Sequence, residues 1–138
     1  MISLREHKPA GAKAPKEDVQ FEIRFFEGIA HRDPDYVEAL QVLGDAYTKT
    51  GQWEKGLEID RRLAKLSPDN PLVFYNLACS YSIMNRVDEA FAALKRAVKL
   101  GYDDAQWLSK DPDLKNLRND RRFEHIRKVL TKKHSGRH

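Results

Sequence analysis

Apolar residues recur along this chain every three to four positions with charged residues between them, the signature of helices that each bury one stripe. Val19, Ile23, Phe26 and the Ile29-Ala30 pair make the first such stripe. Asp33-Pro34 closes it and predicts the start of a second helix. Asp33 suits a cap that accepts from free backbone N–H groups, and Pro34 suits the first turn, where no N–H is needed. That helix reaches about Thr50 with Val37, Leu40, Leu43, Ala46 and Tyr47 inside, and Gly51 follows where a left-handed residue ends a helix at least cost. A third helix covers about 53–65, with Trp53, Leu57, Ile59, Leu63 and Leu66 apolar. Ser67-Pro68-Asp69-Asn70-Pro71 then reads as a turn, with Asn70 as the next cap and Pro71 as the first helical residue. Helices over about 71–84 and 87–100 follow, parted by Asn85 and ended by Gly101-Tyr102. No segment alternates with period two, so the pattern predicts no strand. Residues 1–16, with Ala-Gly-Ala-Lys-Ala-Pro at 10–15, carry no periodicity and predict a disordered tail.

The helical pattern repeats. Leu40-Gln41-Val42-Leu43-Gly44-Asp45-Ala46-Tyr47 aligns with Phe74-Tyr75-Asn76-Leu77-Ala78-Cys79-Ser80-Tyr81 at an offset of 34 residues. At the same offset Gly51 matches Asn85, Trp53 matches Val87, Gly56 matches Ala90 and Leu63 matches Ala97. Small residues at 44/78 and 56/90 let two helices of a unit approach closely, and the larger residues at 40/74, 43/77 and 47/81 fill the space between them. This resembles the tetratricopeptide repeat, a helix–turn–helix unit of about 34 residues. Asp60 departs from that pattern where an apolar residue is usual, and Gly101-Tyr102 replaces the closing proline that Pro68 supplies in the first unit. Gly101-Tyr102-Asp103-Asp104, Trp107-Leu108, Asp111-Pro112-Asp113-Leu114, Leu117-Arg118 and Arg122-Phe123 resemble the end segment of many bacterial members.

The resemblance implies an all-α fold, a right-handed α-solenoid of about 2.5 repeats closed by a C-terminal helical cap. The organisation expected is a tail at 1–16, a repeat domain at 17–130 and a basic tail at 131–138. Within the domain, 34–68 is the first full repeat, 69–102 the second and 103–130 the cap, which would cover the last apolar face with Trp107, Leu108, Leu114, Leu117, Phe123, Ile126, Val129 and Leu130. Stacks usually need about three units, so the cap or self-association into a homo-oligomer must supply the rest.

The 138 residues suit one domain. A single cysteine, Cys79, excludes an internal disulfide framework and argues against a cysteine zinc site. No run approaches the ~18 apolar residues of a membrane span, and residues 1–18 hold no apolar leader run, so a cytoplasmic protein with no membrane partner is expected. The net charge of +4 is uneven: 19–117 carries 13 basic and 16 acidic residues, whereas 118–138 carries eight and two.

No constellation for catalysis emerges. His31-Arg32-Asp33 has the letters of a kinase catalytic loop, but Glu38 stands where that loop needs Asn and no phosphate-cradling glycine loop is present. Asp103, Asp104, Asp111 and Asp113 lack calcium-loop spacing, and Asp111-Pro112 reads as another helix cap. Cys79 falls mid-helix without a base, His125 has no triad partner, and His134 and His138 fall in an expected frayed tail that would support no more than weak adventitious metal binding. The expectation is a protein with no enzymatic activity, no cofactor and no metal.

Two surfaces remain. In the family, the first helix of each unit lines a concave groove that takes partner peptides or helices. The resemblance implies a lining of Glu38, Gln41, Val42, Asp45, Thr48 and Lys49 from the first repeat, and Tyr75, Asn76, Cys79, Ser82 and Ile83 from the second. One family version clamps a partner's C-terminal carboxylate with Lys and Asn side chains. Asn76 has its middle position, but Gln41 and Asp45 replace its first pair, so that clamp is not expected here. A protein or peptide partner with Lys/Arg and apolar anchors fits the groove better. The other surface is basic: Arg121, Arg122, Arg127, Lys128, Lys132 and Lys133 could contact phosphates, giving the alternative of a nucleic-acid- or ribosome-associated accessory protein. The scarcity of aromatic residues there favours the first reading.

Overall fold

In the computed structural model, which describes residues 16–135, every regular element is helical. The tail expected at 1–16 lies outside the described residues except for Lys16, as do Gly136, Arg137 and His138. The chain divides between Pro68 and Asp69 into two compact units, each with its own core.

The first unit holds α1 (Lys16–Arg32), α2 (Val37–Lys49) and α3 (Trp53–Leu66). Leu40, Leu43, Ala46 and Tyr47 of α2 pack against Ile23 of α1 and against Leu57, Ile59 and Leu63 of α3, all buried. The α2–α3 approach depends on Gly44. A Cβ there would stand 3.1 Å from Asp60 Oδ1 and 3.3 Å from Ile59 Cγ2. Asp60, the departure from the repeat pattern, is buried beside it. Tyr47 OH donates to the Glu27 carboxylate and ties α2 to α1. Burial first, and then this bond, push the Tyr47 phenol well above its ordinary range.

The first interhelical junction differs from the sequence expectation. Asp33 N–H donates to Ile29 O at 2.8 Å, so Asp33 continues the α1 ladder instead of capping α2. Tyr36 N–H then closes a turn on Asp33 O at 3.2 Å, which consumes Pro34 and Asp35. Tyr36 becomes the N-cap of α2 and makes no side-chain cap bond.

The second unit holds α4 (Pro71–Ile83), α5 (Val87–Lys99), α6 (Ala105–Lys110), a 3-10 helix (Pro112–Leu117) and α7 (Arg121–Ser135). Here the expected cap forms: Asn70 Oδ1 accepts from Leu72 N–H at 2.9 Å with Pro71 in the first turn. Three helices end in one way. Gly51, Asn85 and Gly101 take φ values of 76°, 59° and 119°. Each precedes an N–H that reaches back five residues, Gln52 to Tyr47 O (2.8 Å), Arg86 to Tyr81 O (2.8 Å) and Tyr102 to Ala97 O (2.9 Å).

Helix α4 carries no charged residue. A helix apolar on all sides is covered on all sides. One side of α4 meets α5 through Leu77, Ala78 and Tyr81 against Ala90, Phe91 and Leu94, and the 3-10 helix packs against another side. Of the residues expected to close the stack, Leu108, Leu114, Leu117, Phe123, Ile126 and Leu130 are buried, Trp107 is half-buried and Val129 is exposed. Helix α7 runs to Ser135, past the expected domain end at 130.

Candidate functional site

Three surfaces hold the residues singled out from the sequence. On α2, Glu38, Gln41, Val42, Asp45 and Lys49 recur at helical spacing opposite the stripe that meets α1 and α3. Glu38 and Lys49 are exposed, Gln41, Val42 and Thr48 are half-buried, and Asp45 is buried. Lys49 Nζ stands 2.8 Å from Asp45 Oδ2, one helical turn away. Thr48 Oγ1 donates to Gly44 O at 3.0 Å, so that hydroxyl turns toward its own helix.

On α4 the picture is different. Tyr75, Cys79 and Ser82 are each 0% exposed, and only Asn76 and Ile83 keep partial solvent contact. What covers this face is the chain's own Asp111 segment. Tyr75 OH donates to Asp111 Oδ2 at 2.6 Å, and Cys79 Sγ lies 3.7 Å from the same oxygen. Asp111 Oδ1 accepts from Asp113 N–H at 2.9 Å, the cap expected of Asp111-Pro112. Asn116 Nδ2 donates to Ser82 O at 2.8 Å, and Arg118 donates to Asp111 O. The Tyr75 ring stacks on Tyr102 at 4.3 Å with an interplanar angle of 13°. Burial, followed by the Cys79, Tyr102 and Asp111 groups beside it, pushes the Tyr75 phenol far above its ordinary range and keeps it a donor.

The sequence pattern reads Asp111 only as a cap, and its second oxygen, aimed at Tyr75, escapes that reading. The available signal is register: α2, α4 and α6 begin at Val37, Pro71 and Ala105, and α3, α5 and α7 at Trp53, Val87 and Arg121, each step being 34 residues. Carrying the period past Gly101 puts 105–117 where another first helix would stand, broken by Pro112 at the position of Gly44 and Ala78. Cys79, Asp111 and Asp113 also form the one trio of metal-ligating groups among the described residues whose atoms lie within 4.8 Å of one another. The bonds to both Asp111 oxygens satisfy that carboxylate with protein donors.

On α7 the six basic residues separate into two sets. Arg122 is committed to the fold: it pairs with Asp120 (2.8 Å) and Asp88 (2.9 Å), and its guanidinium lies 4.4 Å from the centre of the Phe91 ring. The hydrogen bonds to Asp120 and then Asp88 raise the Arg122 pKa, and those to Asp120 hold its carboxyl down at about 2. Arg127 pairs with Glu124 at 2.5 Å and lowers that carboxyl. Arg121, Lys128, Lys132 and Lys133 are exposed. Three of them, with His125, follow the spacing 121, 125, 128, 132. That stripe lies opposite the buried Phe123, Ile126 and Leu130 and spans about 16 Å at a 1.5 Å rise.

Comparison with known proteins gives the class. Residues 72–101 match the family model described as a tetratricopeptide repeat. Over 105 residues the chain is 36% identical to a protein of Arabidopsis thaliana whose name describes it as chloroplastic, covering 74% of this chain and 30% of that one. Over 91 residues it is 30% identical to the peroxisomal targeting signal receptor of Komagataella phaffii, covering 64% of this chain and 16% of the receptor. Among solved structures, the crystal structure of MamA is similar with a TM-score of 0.62 and 26% identity, over 67% of this chain and 54% of that one. The chain belongs to the tetratricopeptide-repeat family. It spans less than a third of the length of these two curated relatives. Repeats of this family are generally non-catalytic interaction modules. Among the described residues, no helix is long and apolar enough to cross a membrane.

Proposed function

We propose that this protein is a non-catalytic adaptor that takes a peptide or helix of a partner protein on the outer stripe of α2. One observation carries the reading: Glu38, Gln41, Val42 and Lys49 keep full or partial exposure on one face of α2, with the Glu38 carboxylate one turn from the aliphatic Val42, while Asp45 on the same face is buried and held by Lys49. That chemistry suits a partner segment with Lys or Arg beside an apolar anchor. Asn76 on α4 keeps partial exposure and remains a candidate contact. Tyr75, Cys79 and Ser82 could contribute only after the Asp111 segment leaves α4. The single buried thiol fits a cytoplasmic, reducing compartment.

The test is affinity capture from the native cell with wild type and with the double variant Glu38→Lys, Gln41→Ala, each with and without nuclease. Loss of the bound protein in the double variant, with a wild-type circular dichroism melt, is the expected result. Full retention of every partner would overturn the α2 assignment.

The α7 stripe supports a second reading, an accessory protein held on nucleic acid by Arg121, Lys128, Lys132 and Lys133. Each phosphate contact would add attraction that weakens steeply with salt. In that case nuclease releases the captured material, and replacing these four residues with Gln abolishes binding while the α2 variant does not.

A further inference from the structure

We propose that the solvent face of α1 is a self-association surface, on which two copies of this chain pair their α1 helices antiparallel. Phe21 and Phe25 are 59% and 54% exposed, the two most exposed large apolar side chains among the described residues. They stack on each other at 6.3 Å, one turn apart. The opposite side of the helix carries buried Ile23, so the pair is not a frayed part of the unit's core. Residues 18, 21, 25, 28 and 32 follow three-and-four spacing and make one stripe: Asp18, Phe21, Phe25, Gly28 and Arg32, all exposed.

No packing neighbour among the described residues requires a glycine at position 28. A Cβ added there would meet nothing within 4 Å. Glycine within a helix costs about 1 kcal/mol relative to alanine, and a glycine on an open face permits close approach of another surface.

The stripe is complementary to itself. Asp18 and Arg32 stand fourteen residues apart on either side of Phe25, about 21 Å at helical rise. An antiparallel pair with its two-fold axis at Phe25 sets Phe25 against Phe25 and each Phe21 over the Gly28-Ile29 stretch of the other copy. It also sets each Asp18 against the other copy's Arg32, two ion pairs by symmetry, as an isologous interface requires. Antiparallel helix dipoles add to the attraction. One helix face is small beside the ~800 Å² per partner of a standard interface, so the dimer is weak and dissociates on dilution.

Sedimentation velocity on the full chain, from low to high micromolar concentration, tests this. Wild type is expected to shift from monomer to dimer as concentration rises, and Phe25→Glu to stay monomeric throughout. Gly28→Leu keeps the monomer fold and raises its melting temperature, yet blocks close approach and abolishes the dimer, which separates interface loss from unfolding. Asp18→Arg and Arg32→Asp alone each weaken dimerisation about tenfold, and together they restore it. A wild type monomeric at every concentration overturns the proposal. So does a dimer that survives both Phe25→Glu and Gly28→Leu, whichever other face then provides the contact.

Discussion

Replacing Tyr75 with Phe deletes one oxygen and leaves the rest of α4 in place. The ring keeps its stack on Tyr102 at 4.3 Å, and no methylene is lost, so cavity formation adds little. What disappears is a 2.6 Å bond from a fully buried hydroxyl to the Asp111 carboxylate, itself 3% exposed. Hydrogen bonds to ionised groups contribute about 1.5–3 kcal/mol, and a short O–H to carboxylate bond in a dry site belongs toward the upper part of that range. The carboxylate retains Cys79 Sγ at 3.7 Å and the Asp113 N–H at 2.9 Å, which limits the penalty. The expected loss is therefore about 2 kcal/mol, which lowers the urea midpoint by about 1 M at typical slopes for small proteins. Urea titration followed by circular dichroism measures it. Amide exchange locates it, with protection falling first in α6 and the 3-10 helix. A midpoint unchanged within about 0.3 M, well inside the shift that slope implies, or a loss confined to the first unit, would refute the reasoning.

Other consequences follow from the same contacts. Gly44→Val forces a branched side chain against Asp60 and Ile59, whose nearest atoms stand 3.1 and 3.3 Å from its Cβ position, and should destabilise the first unit by about 1–3 kcal/mol in chemical denaturation. Phe91→Ala empties a site 1% exposed and removes the ring beneath Arg122; the expected cost is about 3–5 kcal/mol in the second unit. Asp120 has a folded-state pKa of about 2, below the ordinary 3.8, because of Arg122. Its contribution is therefore present above about pH 4 and lost as pH falls through about 2. Asp120→Asn should flatten the stability profile in that window alone, by a small amount because the pair is solvent-exposed.

The helical hairpins were legible because their physics is local. Small residues at 44/78 and 56/90, left-handed residues at 51 and 85, and the Asn70-Pro71 start each act within a turn of the chain. The Asp33-Pro34 junction misled because a proline can begin a helix or fill the turn before one, and the choice rests on whether Asp33 N–H continues the α1 ladder. The α4 face was harder. The family pattern implies that Tyr75, Cys79 and Ser82 line a groove, but whether such a face is open depends on what stands next to it. Here that neighbour is a segment interrupted by Pro112, whose broken periodicity concealed a third occurrence of the 34-residue spacing. The absence of charge along α4 was the plainest sign that both of its sides are covered. On α7, pattern alone could not separate Arg122 and Arg127, which pair within the fold, from the stripe that faces solvent.

The chain's only cysteine reports directly on the central claim, that the α4 face is closed by the Asp111 segment. The reaction of Cys79 with a chromogenic disulfide reagent should be measured in native buffer against the urea-unfolded chain. A thiol that is 0% exposed beneath Asp111 should react orders of magnitude more slowly in the native chain, and Asp111→Ala should raise the native rate at least tenfold. A native rate matching the unfolded one would mean that α4 presents an open groove, and would contradict the account.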